Sequence, residues 1–390
     1  MKDDEVDVDN AIIHPTRRVV QAVALEKDTR EWKFLDRDFQ ADFERMAKLG
    51  EGAANLVSRD HADQMWVAEF MSDHGPLQYY TFDRRTKQGA FLFVHRPKLN
   101  GLTLAPMKGV AITARDGLRL HGYLTLPQGV EPRNLPTVLF PHGGPWARDT
   151  WGYNRDVQLM ANRGYAVLQV NFRGSTGYGK KFLHAGDREW GRKMHDDLVD
   201  AVRWAIAAGI ADSKRVAIYG GSYGGYSALA GAAFSPDLFR CSVDIFGVSN
   251  LATFMKSIPP YWAAFRSMLK QRVGDHEDPK DREFLMAASP LYSADQIKIP
   301  ILIAQGANDV RVVQAESEQI LAAIEKRGGR ASYVLYGDEG HGFLRPENSI
   351  DFTARAEAFL ADCLGGRYEP MLGERYPGSS AVSKEIGRKP

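Results

Sequence analysis

The chain has 390 residues, 44% of them hydrophobic and 25% charged, which is typical of a globular protein with one large domain and a smaller one. Its 50 lysines and arginines nearly balance 49 aspartates and glutamates, so the net charge of +1 does not indicate nucleic acid or an anionic membrane as a partner. No apolar run is long enough to span a bilayer.

Residues 1–7 are acidic and lack the basic and apolar parts of a signal peptide. They favour the cytoplasm if Met1 is the native start, and otherwise leave the periplasm or secretion open. Cys241 and Cys363 are too few and too far apart for a disulfide framework or a zinc site. We expect both to be small core residues and leave their pairing open.

The N-terminal part is predicted to be largely β-structure. A strand candidate over 18–25 and a helix candidate over 41–47 precede four short strands, at 55–58, 65–71, 78–82 and 90–94. Four antiparallel strands in about forty residues match the size of one propeller blade, and a free-standing small sheet is the alternative.

From residue 110 the pattern changes to a hairpin that turns at Asp116-Gly117, followed by strands that alternate with helices. Short, continuously apolar strands between helices predict a mostly parallel sheet that is buried on both faces. Residues 367–390 are rich in Gly, Pro, Ser and charge and are predicted to be a tail with little core. The predicted strands are 137–140, 166–171, 216–219, 242–245, 301–304 and 332–335, and the helices 153–162, 194–208, 226–234, 315–326 and 349–364.

Ser222 lies in the pattern Gly220-x-Ser222-x-Gly224, between an apolar strand and a run of small apolar residues typical of a buried helix. This context is that of a nucleophile elbow, a tight strand-to-helix turn that lifts a serine hydroxyl above the carboxyl end of a sheet. A chance match in a chain with 37 glycines is the alternative.

A base and an acid follow Ser222 in the order that an α/β-hydrolase requires. His341 lies between glycines after the last predicted strand, whereas His276 lies in a charged loop without a preceding strand. Asp309 follows the strand 301–304 and is the predicted acid, with Asp338 and Glu339 as competitors that more plausibly shape the histidine loop.

Two backbone N–H groups are predicted to stabilise an oxyanion. The N–H of Tyr223 follows the nucleophile, and Gly144 belongs to the loop His142-Gly143-Gly144-Pro145, which follows a strand as the HGGG-type loop of esterases does. His142 precedes the serine and is interpreted as a structural residue that braces this loop rather than as a second base.

A near match to a phosphate-binding P-loop occupies residues 174–180. Lys181 stands where the magnesium-binding Ser or Thr should be, so nucleotide binding is not expected.

Five motifs form a family pattern: His142 to Pro145, Asn-Phe-Arg-Gly-Ser-Thr-Gly-Tyr-Gly at 171–179, the elbow at 220–226, Asp309-x-Arg311-Val312, and Asp-Glu-Gly-His-Gly-Phe at 338–343. With them the chain resembles the prolyl oligopeptidase family of serine peptidases, most closely its acylaminoacyl-peptidase-like branch, over most of residues 108–366. On this resemblance, the near P-loop is a sequence signature of the family that has a structural or active-site-lining role.

The resemblance implies an α/β-hydrolase domain over 106–366, preceded by an incomplete propeller-like region of about two blades over 1–105. It implies a metal-independent, cofactor-free peptidase that cuts short peptides through an acyl-enzyme, with Ser222, Asp309 and His341 as the triad. Arg311 matches a position that contacts a substrate carbonyl in relatives, or else makes a surface ion pair. Three apolar residues match the wall of the pocket beside the scissile carbonyl, or else are plain core: Val248, Leu251 and Phe254.

Relatives carry a complete propeller, whereas this sequence has room for about two blades. An incomplete propeller exposes an unpaired sheet edge, which favours a fragment over a natural truncation. A carboxylesterase-type hydrolase and a catalytically inactive interaction module remain the alternative functions. The sequence leaves the oligomeric state open, including a homo-oligomer.

Overall fold

The computed structural model describes residues 2–387, which form three β-sheets and ten α-helices. The strands are β1 (Val8–Ile13), β2 (Val20–Glu26), β3 (Arg30–Phe34), β4 (Ala53–Arg59), β5 (Met65–Met71), β6 (Gln78–Asp83), β7 (Gln88–Val94), β8 (Met107–Thr113), β9 (Arg119–Thr125), β10 (Leu135–Leu139), β11 (Ala166–Asn171), β12 (Ala211–Gly221), β13 (Cys241–Ile245), β14 (Ile301–Gly306), β15 (Ala331–Tyr336) and β16 (Ala381–Ile386). The helices are α1 (Arg37–Met46), α2 (Arg155–Arg163), α3 (Gly179–His184), α4 (Lys193–Ala207), α5 (Tyr223–Phe234), α6 (Leu251–Lys256), α7 (Arg266–Arg272), α8 (Arg282–Ala287), α9 (Gln314–Lys326) and α10 (Pro346–Leu364).

The N-terminal strands form two small antiparallel sheets, with order β1-β2-β3 and β4-β5-β6-β7. The four-stranded sheet confirms the strands predicted between 55 and 94, and the two sheets are consistent with a propeller-like segment. They share a core of large aromatic side chains with α1, including Phe39, Trp66 and Phe82. An aromatic core of this kind is an efficient way to bury apolar area in a small sheet.

The large sheet has nine strands in the order β16-β15-β14-β13-β12-β10-β11-β9-β8. The six strands predicted from 137 to 335 pair in parallel at its centre, while β8, β9 and β16 pair antiparallel at the edges. Every residue of β10, β11 and β14 is buried, as the continuous apolar pattern predicts for strands covered on both faces. The carboxyl ends of the parallel strands therefore meet at one edge of the sheet, where loops can converge.

One feature differs from the expectations and another was left open by them. The segment predicted as a tail contains β16, which pairs antiparallel with β15 and buries Ala381 and Ile386. Cys241 at the start of β13 and Cys363 near the end of α10, which were expected as small core residues with their pairing left open, form a disulfide with 6.3 Å between their Cα atoms. Among the helices of residues 2–387, none combines the length and the apolar character that a bilayer crossing requires.

Candidate active site

Ser222 occupies a strained turn between β12 and α5, with φ +60° and ψ −117°. The turn needs glycine on both sides: a Cβ on Gly224 would lie 2.4 Å from the Pro141 carbonyl oxygen, and one on Gly220 would lie 2.6 Å from the Gly224 carbonyl. The Ser222 N–H donates to the Ile245 carbonyl at the end of β13 over 2.9 Å. The hydroxyl is thus held above the carboxyl end of the sheet.

His341 lies in the loop after β15, and its Nε2 is 3.0 Å from Ser222 Oγ. Its Nδ1 is 2.6 Å from Asp309 Oδ2, in the loop after β14. The structure therefore brings together the three predicted side chains, which lie up to 119 residues apart in sequence. Because a carboxylate only accepts hydrogen bonds, Nδ1 carries the proton and Nε2 is free to take one from the serine.

Backbone groups fix the orientation of the Asp309 carboxylate. Its Oδ1 accepts from the N–H of Arg311 over 2.8 Å and of Val312 over 3.0 Å, and the side chain is fully buried. Both oxygens are therefore paired, so the carboxylate cannot swing away from the imidazole without losing bonds.

The competing acids hold the histidine loop instead. Glu339 accepts from the N–H groups of Leu344 over 3.0 Å and Arg345 over 2.9 Å. Asp338 pairs with Ser380, Arg345 and Asn348, and these contacts lower the pKa of Asp338 to about 2. Within residues 2–387 neither carboxylate makes a hydrogen bond or an ion pair with His341.

The two predicted oxyanion donors flank the serine. Tyr223 is the first residue of α5, where an N–H has no partner within the helix. Gly144 has φ +124° and lines the same cavity as Ser222. Within residues 2–387 no protein group accepts a hydrogen bond from the Gly144 N–H, so it is free for a ligand.

A largely apolar cavity of about 370 Å³ opens beside Ser222. Two of the predicted wall residues, Val248 and Phe254, line it together with Arg311, whose guanidinium lies 5.9 Å from the centre of the Trp262 ring. Leu251 does not line it, and its side chain is fully buried in the core at the start of α6. The other lining residues are Gly144, Trp146, Trp190, Ser222, Tyr223, Trp262, Phe265, Met268, Leu269, Val312 and His341.

Sequence reasoning missed the three tryptophans of this wall and the glutamate that holds the segment carrying Val248. Trp146, Trp190 and Trp262 come from three separate segments, and no spacing in the sequence links them. Glu316 on α9 accepts from the N–H groups of Ser249 over 3.0 Å and of Asn250 over 2.9 Å, and so fixes the segment that carries Val248. Burial raises the pKa of Glu316.

The near P-loop, residues 174–180, contacts the loop His142 to Pro145, which carries the Gly144 N–H and is called the oxyanion loop. Ser175 is fully buried, and its Oγ lies 2.9 Å from His142 Nε2. The short helix α3, which the sequence did not predict, follows this loop. Among the described residues there is no group of three or more His, Cys, Asp or Glu that could hold a metal ion.

Comparisons with known proteins point the same way. A model of the prolyl oligopeptidase family matches residues 151–367. The dipeptidyl aminopeptidase BIII of Pseudoxanthomonas mexicana is 48% identical over 394 residues, which cover 99% of this chain and 57% of that protein. Dipeptidyl peptidase family member 6 of Caenorhabditis elegans is 41% identical over 403 residues, covering 97% of this chain and 54% of that protein.

Among solved structures, a puromycin-hydrolyzing peptidase of Mycobacterium tuberculosis aligns with a TM-score of 0.71 and 27% identity, over 79% of this chain and 47% of that one. The nine-stranded sheet with a serine elbow and a His–Asp pair at the ends of its parallel strands is an α/β-hydrolase. The chain belongs to the prolyl oligopeptidase family, which is a family of serine peptidases, and the resemblance seen in its motifs is confirmed. It spans a little over half the length of the two curated relatives.

Proposed function

We propose that the chain is a serine peptidase that hydrolyses short peptides, through an acyl-enzyme, after a bulky apolar residue. The observation that carries the proposal is the hydrogen-bonded chain from Ser222 through His341 to Asp309 at the rim of an aromatic cavity. The family membership makes peptide hydrolysis the favoured reaction of this arrangement.

In the proposed acylation step, Ser222 Oγ attacks the scissile carbonyl carbon while His341 Nε2 takes the hydroxyl proton. The carbonyl oxygen becomes an oxyanion that accepts from the Tyr223 and Gly144 N–H groups. The C–N bond then breaks, and the imidazolium of His341 donates its proton to the leaving amine.

Deacylation repeats the sequence with water as the nucleophile. His341 takes a proton from the water, which attacks the ester carbonyl, and returns that proton to Ser222 Oγ as the acid product leaves. Asp309 stays ionised throughout and stabilises the imidazolium. No metal or cofactor is needed for these steps.

The cavity defines the side chain that precedes the scissile bond. Its lining is aromatic and aliphatic apart from the residues around the serine and Arg311, which favours a Phe-, Leu- or Met-like side chain. Arg311 is proposed to donate to a substrate carbonyl from the edge of this cavity.

A panel of peptide anilides tests the proposal. Anilides with Phe, Leu, Ala, Lys or Asp at the position before the scissile bond are offered with free and with acylated amino ends, beside short acyl esters. We expect hydrolysis of the Phe and Leu anilides by the wild type and none by Ser222→Ala. Activity on esters alone would assign a carboxylesterase, and a folded wild type inactive on every substrate would leave an interaction module. Cytoplasmic localisation stays a prediction.

A further inference from the structure

The backbone of Phe246, in the turn that follows β13, adopts a conformation that a bulky side chain rarely takes. Its φ is +43°, in the left-handed region, where the Cβ atom of an L-residue crowds the neighbouring backbone. Strain of this kind persists only where the surrounding structure holds the residue in several ways, and it is concentrated at functional sites. The contacts of Phe246 should therefore show what the strain is for.

Hydrogen bonds from two sides fix the peptide unit that precedes Phe246. The carbonyl of Ile245 accepts from the N–H of Ser222 over 2.9 Å. The N–H of Phe246 donates to the carbonyl of Ala304 on β14 over 2.8 Å, and β14 leads into the loop that carries Asp309. One peptide unit thus joins the segment of the nucleophile to the segment of the acid.

A buried carboxyl fixes the chain on the other side of Phe246. Asp244 is fully buried, and its Oδ1 accepts from the N–H of Gly247 over 2.8 Å. Gly247 packs so closely on α5 that a Cβ on it would lie 2.4 Å from the carbonyl carbon of Gly225. The backbone of Phe246 therefore cannot relax without breaking contacts on both sides.

The side chain of Phe246 reaches the third member of the triad. Its ring centre lies 4.6 Å from that of the His341 imidazole, and the two planes are inclined by 50°. The edge of the ring lies against the elbow, where a Cβ on Gly221 would be 3.3 Å from Phe246 Cε2. The strained backbone thus holds one aromatic ring in contact with both the nucleophile turn and the base.

The imidazole of His341 needs such a contact, because its own backbone restrains it little. His341 lies between Gly340 and Gly342, and Gly342 has φ +137°. The two hydrogen bonds of the imidazole hold the ring at its nitrogens, so its tilt depends on packing. Proton transfer requires a short, aligned path between Nε2 and the serine oxygen, and small misplacements are costly.

We propose that Phe246 is a positioning residue for the hydrolytic reaction: its ring, held at a strained position by the nucleophile turn and the acid strand, keeps the His341 imidazole aligned with its two partners. The inference rests on the proposed function and adds a residue to it. Phe246 makes and breaks no bond in the reaction and acts only through the base.

Three substitutions separate the ring contact from the backbone strain. Phe246→Leu and Phe246→Ala both keep a Cβ at the strained position and differ in how much apolar surface can contact the imidazole. Phe246→Gly also removes the ring but relieves the strain, because glycine adopts positive φ readily. Phe359→Ala is the matched control, since it removes another half-buried phenylalanine ring, on α10, that does not line the active-site cavity.

Steady-state kinetics on the best anilide are combined with thermal unfolding. We expect Phe246→Ala to lower kcat about 10- to 30-fold with KM within about twofold, because the ring contacts the base and does not line the cavity. Phe246→Leu should recover about threefold or more of this loss, and Phe359→Ala should keep kcat within about twofold of the wild type. Phe246→Gly should unfold about 1–3 °C above Phe246→Ala and yet be no faster.

The low-field NMR resonance of the His341 Nδ1 proton, hydrogen-bonded to Asp309, is a third readout that needs no substrate. We expect it in the wild type and in Phe359→Ala, and expect it to be broadened by exchange with water in Phe246→Ala and Phe246→Gly. A resonance unchanged in these two variants would count against the inference. Its absence from the wild type would contradict the alignment itself.

A kcat of Phe246→Ala within about threefold of the wild type would overturn the inference. So would a Phe246→Leu variant no faster than Phe246→Ala, or a Phe246→Gly variant that regains the wild-type kcat as its stability rises. If Phe246→Ala does not fold, Phe246→Gly decides by the same kcat and NMR criteria.

The two proposals fail in different ways. A wild type that is inactive on every anilide would overturn the proposed function, and the NMR resonance would still decide whether the ring holds the imidazole. An active wild type with indifferent Phe246 variants would overturn this inference alone.

Discussion

The central strands of the nine-stranded sheet and the edge strand β7 of the N-terminal four-stranded sheet differ in burial. Strand β11 is buried along its whole length, whereas β7 exposes half or more of the Phe91 and Phe93 side chains. All the residues that line the candidate active-site cavity lie between Gly144 and His341. The candidate active site therefore belongs to the sheet that is covered on both faces, and the N-terminal sheets contact the loops beside it.

Those contacts reach the loops that support the site. The Arg148 guanidinium, four residues after Gly144, donates to the Glu26 carbonyl over 2.8 Å and to the Tyr178 hydroxyl over 2.6 Å. The Gly179 N–H donates to Asp7 Oδ2 over 3.0 Å. The N-terminal region therefore makes hydrogen bonds to the near P-loop and to Arg148, which follows the oxyanion loop.

The largest effect is expected inside the large sheet, at Asp309. Asp309→Asn places an amide where the carboxylate accepts from Nδ1, so His341 is pushed to the tautomer that cannot take the serine proton. We expect kcat to fall about 10⁴-fold with little change in KM, measured on the best peptide anilide.

Asp338→Asn is the matched control, because it removes a carboxylate three residues from His341 that does not contact the imidazole. Its kcat should stay within about threefold of the wild type. A larger loss of kcat in Asp338→Asn than in Asp309→Asn would mean that Asp338, not Asp309, is the acid of the triad.

A smaller, selective effect is expected in the cavity wall. Val248→Phe narrows the cavity, so kcat/KM for the Phe anilide should fall about 10- to 100-fold while the Ala anilide changes less than about threefold. Leu251→Met conserves volume just outside the cavity and should leave the ratio of the two substrates unchanged. Equal losses for both anilides in Val248→Phe would show that this cavity does not hold the side chain.

The buried carboxyl of Asp149, next to Arg148, is expected to make the stability depend on pH. Desolvation raises the pKa of Asp149 to about 7, above the 3.8 of an exposed aspartate, and its Oδ2 is buried without a hydrogen-bond partner. The folded state thus binds this proton more tightly than the unfolded state, so stability is lost as the pH rises through about 7.

Asp149→Asn removes the titration. The free energy of unfolding of the wild type, relative to this variant, should fall by about 2–3 kcal/mol between pH 5 and pH 8 in urea titrations. A difference that does not vary with pH would mean that Asp149 is ionised in the folded protein.

The smallest effect is expected in the N-terminal sheets. Leu92 on β7 is 43% exposed and lies outside the cavity wall. Leu92→Thr should leave kcat within about twofold and reduce aggregation measured by light scattering, since it makes an exposed apolar strand more polar. A large change in kcat would show that catalysis in the large sheet depends on this strand of the N-terminal sheets.

The sequence predicted the parts of the site that depend on local chain order. The elbow around Ser222 needs small residues next to one another. Asp309 and His341 each follow an apolar strand, so the order of residues along the chain is enough to predict their positions. The central strands are equally readable because burial on both faces requires continuous apolar runs.

The remaining features depend on contacts between distant segments. The disulfide joins residues 122 apart, because α10 packs against the sheet that contains β13. Strand β16 has the sequence Ala-Val-Ser-Lys-Glu-Ile, which lacks the alternation of a half-buried strand, and it is a strand through its pairing with β15. Leu251 has an apolar side chain like Val248, and the sequence does not distinguish the one that lines the cavity from the one that does not.

Ser222 is proposed to be the activated nucleophile of the large sheet. Labelling the folded protein with a fluorophosphonate probe and mapping the adduct by mass spectrometry tests this role. We expect a single adduct on Ser222, lost in Ser222→Ala and slowed at least about 100-fold in His341→Ala, because the imidazole must take the serine proton. A folded protein that remains unlabelled, or that carries the label on another serine, would show that Ser222 is not the activated nucleophile.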